Sequence, residues 1–269
     1  MVRNVLDDDW AIRPAGGLTG DAFMAEKGNE RLFLKRNSAP FLAVLSAEGI
    51  APKLIWTKRM ENGDVITAQK WLEGRKLEPE EMKGKQVADI LHKIHNSAEL
   101  LNMLMRLGKR AKTPDEKYNN IVIRLQNKHI IPKYDEIRIA LVYLQRLLPV
   151  TRGQKQVVCH CDLNHNNLLI TEDEQLFLID WDNANISDPV IDFGSILKWY
   201  VPETEWDDWL GKYGLTNNQQ IIERMYWYLL YNTLYYIDWH YERNEYNKVM
   251  ERMQALQEIN EDIRSTILN

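Results

Sequence analysis

Through its first seventy residues the chain alternates apolar and polar positions with a period of two, and turn-forming residues break the alternation every few positions. Residues 10–14, 22–26, 31–35, 53–57 and 65–69 therefore read as strands. Lys27-Gly28-Asn29-Glu30 and Glu61-Asn62-Gly63-Asp64 carry hairpin-turn chemistry. One helix interrupts this series over residues 40–48, with Asn37 or Ser38 near its cap, Pro40 early in its first turn and Gly49 just past its end. After Trp71-Leu72-Glu73-Gly74 the apolar period turns helical, predicting helices over 83–95, 114–127, 132–147, 218–243 and 246–267. Among them lie three short apolar runs, Val157-Val158, Leu168-Leu169-Ile170 and Leu176-Phe177-Leu178-Ile179, the last two joined by a polar turn. The fold class expected is α+β. A small β-rich N-terminal lobe spans residues 1–70 and a larger, mainly helical C-terminal lobe spans 71–269.

Composition narrows the class without choosing a function. At 269 residues, 45% hydrophobic and 27% charged, the chain can bury a substantial core and reads as globular and soluble. The net charge of −5 offers no basic footprint for nucleic acid or an anionic membrane surface, so neither partner is expected. No apolar run has the length of a signal peptide or a membrane span, which points to the cytoplasm. Cys159 and Cys161 flank His160 on a strand leading into a loop. Side chains alternate in direction along a strand, which argues against a mutual disulfide or a compact Cys-His-Cys metal site and favours buried free thiols. Oligomeric state is not legible.

Candidate chemistry concentrates between residues 157 and 182. His160-Cys161-Asp162-Leu163 is followed by Asn167, and Ile179-Asp180-Trp181-Asp182 closes the next strand, so Asp162, Asn167 and Asp180 are expected at one hairpin end. Phosphoryl transfer needs a carboxylate to orient and deprotonate a hydroxyl, and oxygen ligands to hold Mg²⁺ against phosphates. Asp162 suits the first role and Asn167 with Asp180 the second. His, Asp and Asn are also ordinary turn formers, and a short motif matches by chance. The surrounding strand–turn–strand pattern is what separates the two readings here. Gly16-Gly17-Leu18-Thr19-Gly20, between the first two strands, has the glycines that let backbone N–H groups approach phosphate, with Gly16, Gly17, Thr19 and Gly20 as contact positions. A ligand-free turn would look the same, and Gly-Lys-Ser/Thr of a Walker A loop is absent.

The spacing H-x-D-L-x-x-x-N is that of a protein-kinase catalytic loop, and Asp180 stands where the metal-binding DFG aspartate would. With Asp188-Pro189 and Asp192-Phe193-Gly194 beyond, nearly the whole chain more closely resembles the aminoglycoside phosphotransferase and choline kinase superfamily, bacterial small-molecule phosphotransferases built on a protein-kinase-like fold. That resemblance implies ATP and Mg²⁺ as cofactors, Lys35 on the α- and β-phosphates, and a hinge at Gln69, Trp71 and Leu72 whose main chain receives adenine. It implies that His160 supports the loop, that Asp192 braces it, and that Asp182 matches the acid after the metal aspartate. An aromatic stripe, Trp227, Tyr231 and Tyr235 with Trp239 a turn further, is either core packing or, with Asp182, an acceptor pocket for an ammonium group. The activity implied is transfer of the γ-phosphate of ATP to a hydroxyl of a small, amino-bearing metabolite resembling choline or ethanolamine. An aminoglycoside kinase is the alternative acceptor class. In one respect the chain departs from the pattern: the helix that should hold Lys35 with a glutamate has Ser38 at the expected position and Glu48 only at its end. A slow or inactive nucleotide-binding pseudokinase is therefore a third reading, while the lack of an A-P-E element argues against a protein substrate.

Overall fold

The computed structural model describes residues 5–15, 21–38 and 40–267. Their contacts divide the chain into two compact units, Met1–Gly108 with Asn164–Ala184, and Lys109–Leu163 with Asn185–Asn269. This division differs from a single cut after residue 70.

The first unit is built on strands β1 (Ala11–Pro14), β2 (Ala22–Lys27) and β3 (Glu30–Arg36), helix α1 (Phe41–Ala47), and strands β4 (Leu54–Arg59) and β5 (Val65–Lys70). The five strands form one antiparallel sheet in the order β1-β2-β3-β5-β4. One face closes over Ala25, Leu32, Leu34, Ile66 and Ala68, with Phe23, Trp56 and Met60 packed against them. In β2 and β3 the period-two reading is borne out, with Phe23, Ala25, Leu32 and Leu34 turned to this core, whereas β5 is buried on both faces, Thr67 and Gln69 lying opposite Ile66 and Ala68. Beyond the sheet, β6 (Gly74–Lys76) leads to α2 (Lys85–Asn96) and α3 (Ala98–Arg106). α3 begins where Ser97 Oγ accepts the Leu100 N–H. Both β6 and α3 escape a periodicity reading, one for being three residues long and the other for following α2 with a single-residue break.

The second unit begins with α4 (Pro114–Asn127), α5 (Asp135–Leu147) and strand β7 (Val157–Cys159). A capping box starts α4, Thr113 Oγ1 accepting from Glu116 N and the Glu116 carboxylate accepting from Thr113 N. Strands β8 (Leu168–Thr171) and β9 (Leu176–Leu178) return to the first unit, where they complete a sheet in the order β6-β8-β9. Gly74 in β6 is fixed by this pairing, because a Cβ there would lie 2.4 Å from the Ile170 carbonyl oxygen.

The second unit resumes with β10 (Asn185–Ser187), α6 (Val190–Tyr200), α7 (Trp206–Tyr213), α8 (Gln219–Glu242) and α9 (Tyr246–Thr266). Its β7 pairs with β10, with Asn185 opposite Cys159, so this strand does not share a sheet with the β8–β9 hairpin. The core of this unit gathers around α8, which packs on α4, α5, α6 and α9. Among the described residues no helix is long and apolar enough to cross a membrane.

Candidate active site

In β3 the side chains alternate, so that Leu32 and Leu34 fill the sheet core and Lys35 points to the opposite face. There the Lys35 ammonium meets Asp182 Oδ1 at 2.8 Å and Asp180 Oδ1 at 3.2 Å. Burial by itself lowers the pKa of this amine. The hydrogen bond to Asp182 and the charge of Asp180 outweigh that cost and raise it, so Lys35 is held as a cation. The expected helix glutamate is thus replaced by two acids that lie 145 and 147 residues further along the chain. Ser38 accepts from the Thr67 hydroxyl at 3.0 Å and plays no part in holding Lys35. Glu48 receives the Ser97 hydroxyl. Asp182, expected in an acceptor pocket, is instead a partner of Lys35.

Local turn chemistry places the acids. Asn164 Oδ1 accepts from Asn166 N, setting a tight turn over 165–167, and the Ile179 N–H donates to the Asn167 carbonyl at 2.9 Å. Asn167 and Asp180 therefore adjoin at the same end of the β8–β9 hairpin. Asp180 adopts the left-handed region at φ 61° and ψ 63°, a conformation that side-chain-bearing residues adopt mainly under constraint and often at functional sites. Trp181 anchors the segment by donating Nε1–H to the Leu178 carbonyl at 2.8 Å and packing edge-on against Phe41 of α1. Asn167 and Asp180, the expected metal ligands, carry oxygen donors of the kind that suit a hard divalent cation such as Mg²⁺.

At the expected hinge the main chain is already engaged. Trp71 N donates to Arg31 O, Lys70 N donates to Lys53 O, and Gln69 pairs in β5 while its buried side chain donates to Pro52 O at 2.8 Å. Gly16, Gly17, Thr19 and Gly20 lie outside the described residues.

Asp162 belongs to the second unit, where the preceding residues are gripped by a single carboxylate. Asp192 at the start of α6, fully buried, accepts from His160 N at 2.7 Å and from Cys161 N at 2.8 Å. Two charge-assisted bonds fix the loop that presents Asp162 and hold Cys161 at φ 65°. His160 is itself fully buried. Burial raises the pKa of both cysteine thiols, with the Asp192 charge adding to it, which leaves them protonated and inert.

The aromatic stripe of α8 separates into core and surface. Trp227 is 0% exposed, donates to the Leu144 carbonyl at 2.9 Å, and stacks on Tyr231 at 5.7 Å. It is a core residue and lines no acceptor pocket. Tyr231 and Tyr235 are half-buried, and both have cations of the chain itself over their rings, Lys117 at 5.8 Å and Arg124 at 5.3 Å. Tyr236, absent from the sequence-based set, is half-buried on the same helix, and burial first, then the charge of Asp162, raises the pKa of its phenol.

Residues 10–228 match the model of the phosphotransferase enzyme family. The chain belongs to that family. Among solved structures, choline kinase LicA from Streptococcus pneumoniae is similar over 97% of this chain and 96% of its own, at 20% identity and a TM-score of 0.71. The GDP complex of aminoglycoside 2'-phosphotransferase-IIIa is similar over 97% of both chains, at 14% identity and a TM-score of 0.77. The AMP-bound spectinomycin phosphotransferase covers 99% and 98%, at 16% identity and a TM-score of 0.72. At these identities the likeness establishes a shared protein-kinase-like fold, and the family match makes this chain a phosphotransferase.

Proposed function

We propose that this phosphotransferase moves the γ-phosphoryl group of ATP to a hydroxyl of a small molecule. The observation that carries the reading is the Lys35 ammonium shared by Asp180 and Asp182, a cation and two acids poised to exchange each other for phosphate and metal. Lys35 would contact the phosphates, with the glycine-rich stretch of Gly16, Gly17, Thr19 and Gly20 supplying N–H donors. Asn167 and Asp180 would hold Mg²⁺, which when bound neutralises the charge on the transferring phosphates. Asp162 would orient the acceptor hydroxyl and take its proton, while His160 and Asp192 keep the loop in place. In this reading residues 1–70 bind nucleotide, residues 71–269 carry catalysis and the acceptor, and Gln69, Trp71 and Leu72 border the base. The AMP and GDP complexes of the similar structures support nucleotide binding, and the cytoplasm supplies ATP.

Lys35 with two acid partners also speaks against an inactive pseudokinase. Acceptors related to choline, and aminoglycosides, are the classes that the similar proteins' names suggest, and ethanolamine is the nearest amino alcohol to the first. An ATP-consumption screen with Mg²⁺ across amino alcohols, sugars, hydroxy acids and aminoglycosides tests the activity. Acceptor-dependent turnover is expected, and Asp162→Asn should abolish it while ATP still raises the melting temperature. Turnover surviving in Asp162→Asn would remove Asp162 from its role.

A further inference from the structure

In the first unit a cleft of about 580 Å³ opens between the end of α1, the start of β4, the end of β5 and the β8–β9 hairpin. That volume falls within the roughly 300–1,000 Å³ of small-molecule sites. Leu54, Leu72 and Phe177 line it with apolar groups, and Ser46, Lys53 and Lys70 with polar ones. Lys35, Gln69, Trp71, Asn167, Asp180 and Asp182 do not line it; of the described residues proposed to meet nucleotide or metal, Leu72 alone borders it.

The two lysines are a cross-strand pair. Leu54 stands opposite Gln69 in the register of β4 and β5, and one step further the Lys70 N–H donates to the Lys53 carbonyl at 2.8 Å. Opposed residues of an antiparallel pair send their side chains to the same face, and like charges placed so destabilise the pair. Among the described residues nothing offsets that cost, because both lysines are exposed and neither has an ion pair or a side-chain hydrogen bond. The acids closest along the chain are engaged elsewhere: Glu48 receives the Ser97 hydroxyl, Glu73 receives Arg31 and Asp173 receives the Thr171 hydroxyl. Two further features suit an anion. Ser46 Oγ accepts from Leu54 N at 2.7 Å and keeps its own O–H to donate. The carbonyls at the C-terminal end of α1, which would repel an anion, are occupied, those of Val44, Leu45, Ser46 and Glu48 accepting from Glu48 N, Ile50 N, Gly49 N and the Lys93 ammonium.

We infer that this cleft binds a phosphate monoester with a compact apolar body, the phosphate received by Lys53 and Lys70 and the body by Leu54, Leu72 and Phe177. Two opposed ammonium groups match a doubly charged group. Lysine meets phosphate as a point charge, whereas a planar carboxylate is the partner of an arginine fork. The site lies outside the centre around Lys35 and does not depend on the phosphotransferase reading.

Calorimetric titration of the full chain with phenyl phosphate, inorganic phosphate, benzoate and benzyl alcohol, in the absence of nucleotide, tests this. Phenyl phosphate should bind at least about tenfold more tightly than each of the others, which lack in turn the apolar body, the second charge and any charge. Lys53→Gln combined with Lys70→Gln should weaken phenyl phosphate about tenfold or more. The melting temperature of that variant should hold or rise, because a repulsion is removed. Lys35→Ala, remote from the cleft, should leave the affinity within about twofold. Absence of phenyl phosphate binding, equal binding of inorganic phosphate or benzoate, or an affinity unchanged in the paired lysine variant would each overturn the inference. Loss of binding in Lys35→Ala would overturn it too, by assigning the ligand to the nucleotide site.

Discussion

Lys35 concentrates the residue-scale argument. Its charge is retained in a partly buried place because two carboxylates share it, and the same charge is what a triphosphate would need. Lys35→Ala should reduce ATP affinity or turnover well over about tenfold, since a charge-assisted phosphate contact is removed; a nucleotide titration checks this. Asp192 is the second decisive residue. It occupies both carboxylate oxygens with main-chain N–H groups ahead of Asp162, so Asp192→Asn puts an NH₂ against one of those donors. A loss of about 1–3 kcal/mol in urea unfolding is expected, together with a fall in turnover. His160, Asp162, Asn167 and Asp180 were legible from their spacing because motif and strand pattern coincide. The role of Asp182 was not, since nothing local distinguishes an acid that pairs with Lys35 from one that faces an acceptor.

At the scale of elements, β1 to β5 and the long helices were legible because each repeats its period several times. The strands β6 and β10 are three residues each, too short for a period, and their identity comes from the partner they pair with, whereas the apolar run of β7 was legible and only its partner was not. The β6–β8 pairing offers a sharp check. Gly74→Ala would bring a methyl group against the backbone oxygen of Ile170, an atom that cannot rotate away, so β6 must move. A loss of about 1–3 kcal/mol is expected in equilibrium unfolding, with faster amide exchange in β6 and β8 than in β1 to β3. Equal protection of both sheets in the variant would show that the pairing tolerates a side chain.

At the scale of the molecule each compact unit buries apolar residues of its own, among them those beneath the five-stranded sheet in the first and those around α8 in the second. Trp227 ties α8 to α5 in the second core through its bond to the Leu144 carbonyl. Trp227→Ala should cost about 3–5 kcal/mol, a large part of a typical folding stability, and thermal unfolding would register it. A side chain lining an open pocket would cost far less. By itself the sequence determined the α+β class, the principal elements and the identity of the acids at the hairpin end, because periodicity, caps and turn chemistry act over a few residues. Only the tertiary structure decided that Lys35 is held by acids about half the chain away, that β7 takes β10 as its partner, and that the rings of α8 already carry cations. Those outcomes depend on which distant surfaces pack together, and no short-range pattern encodes that choice.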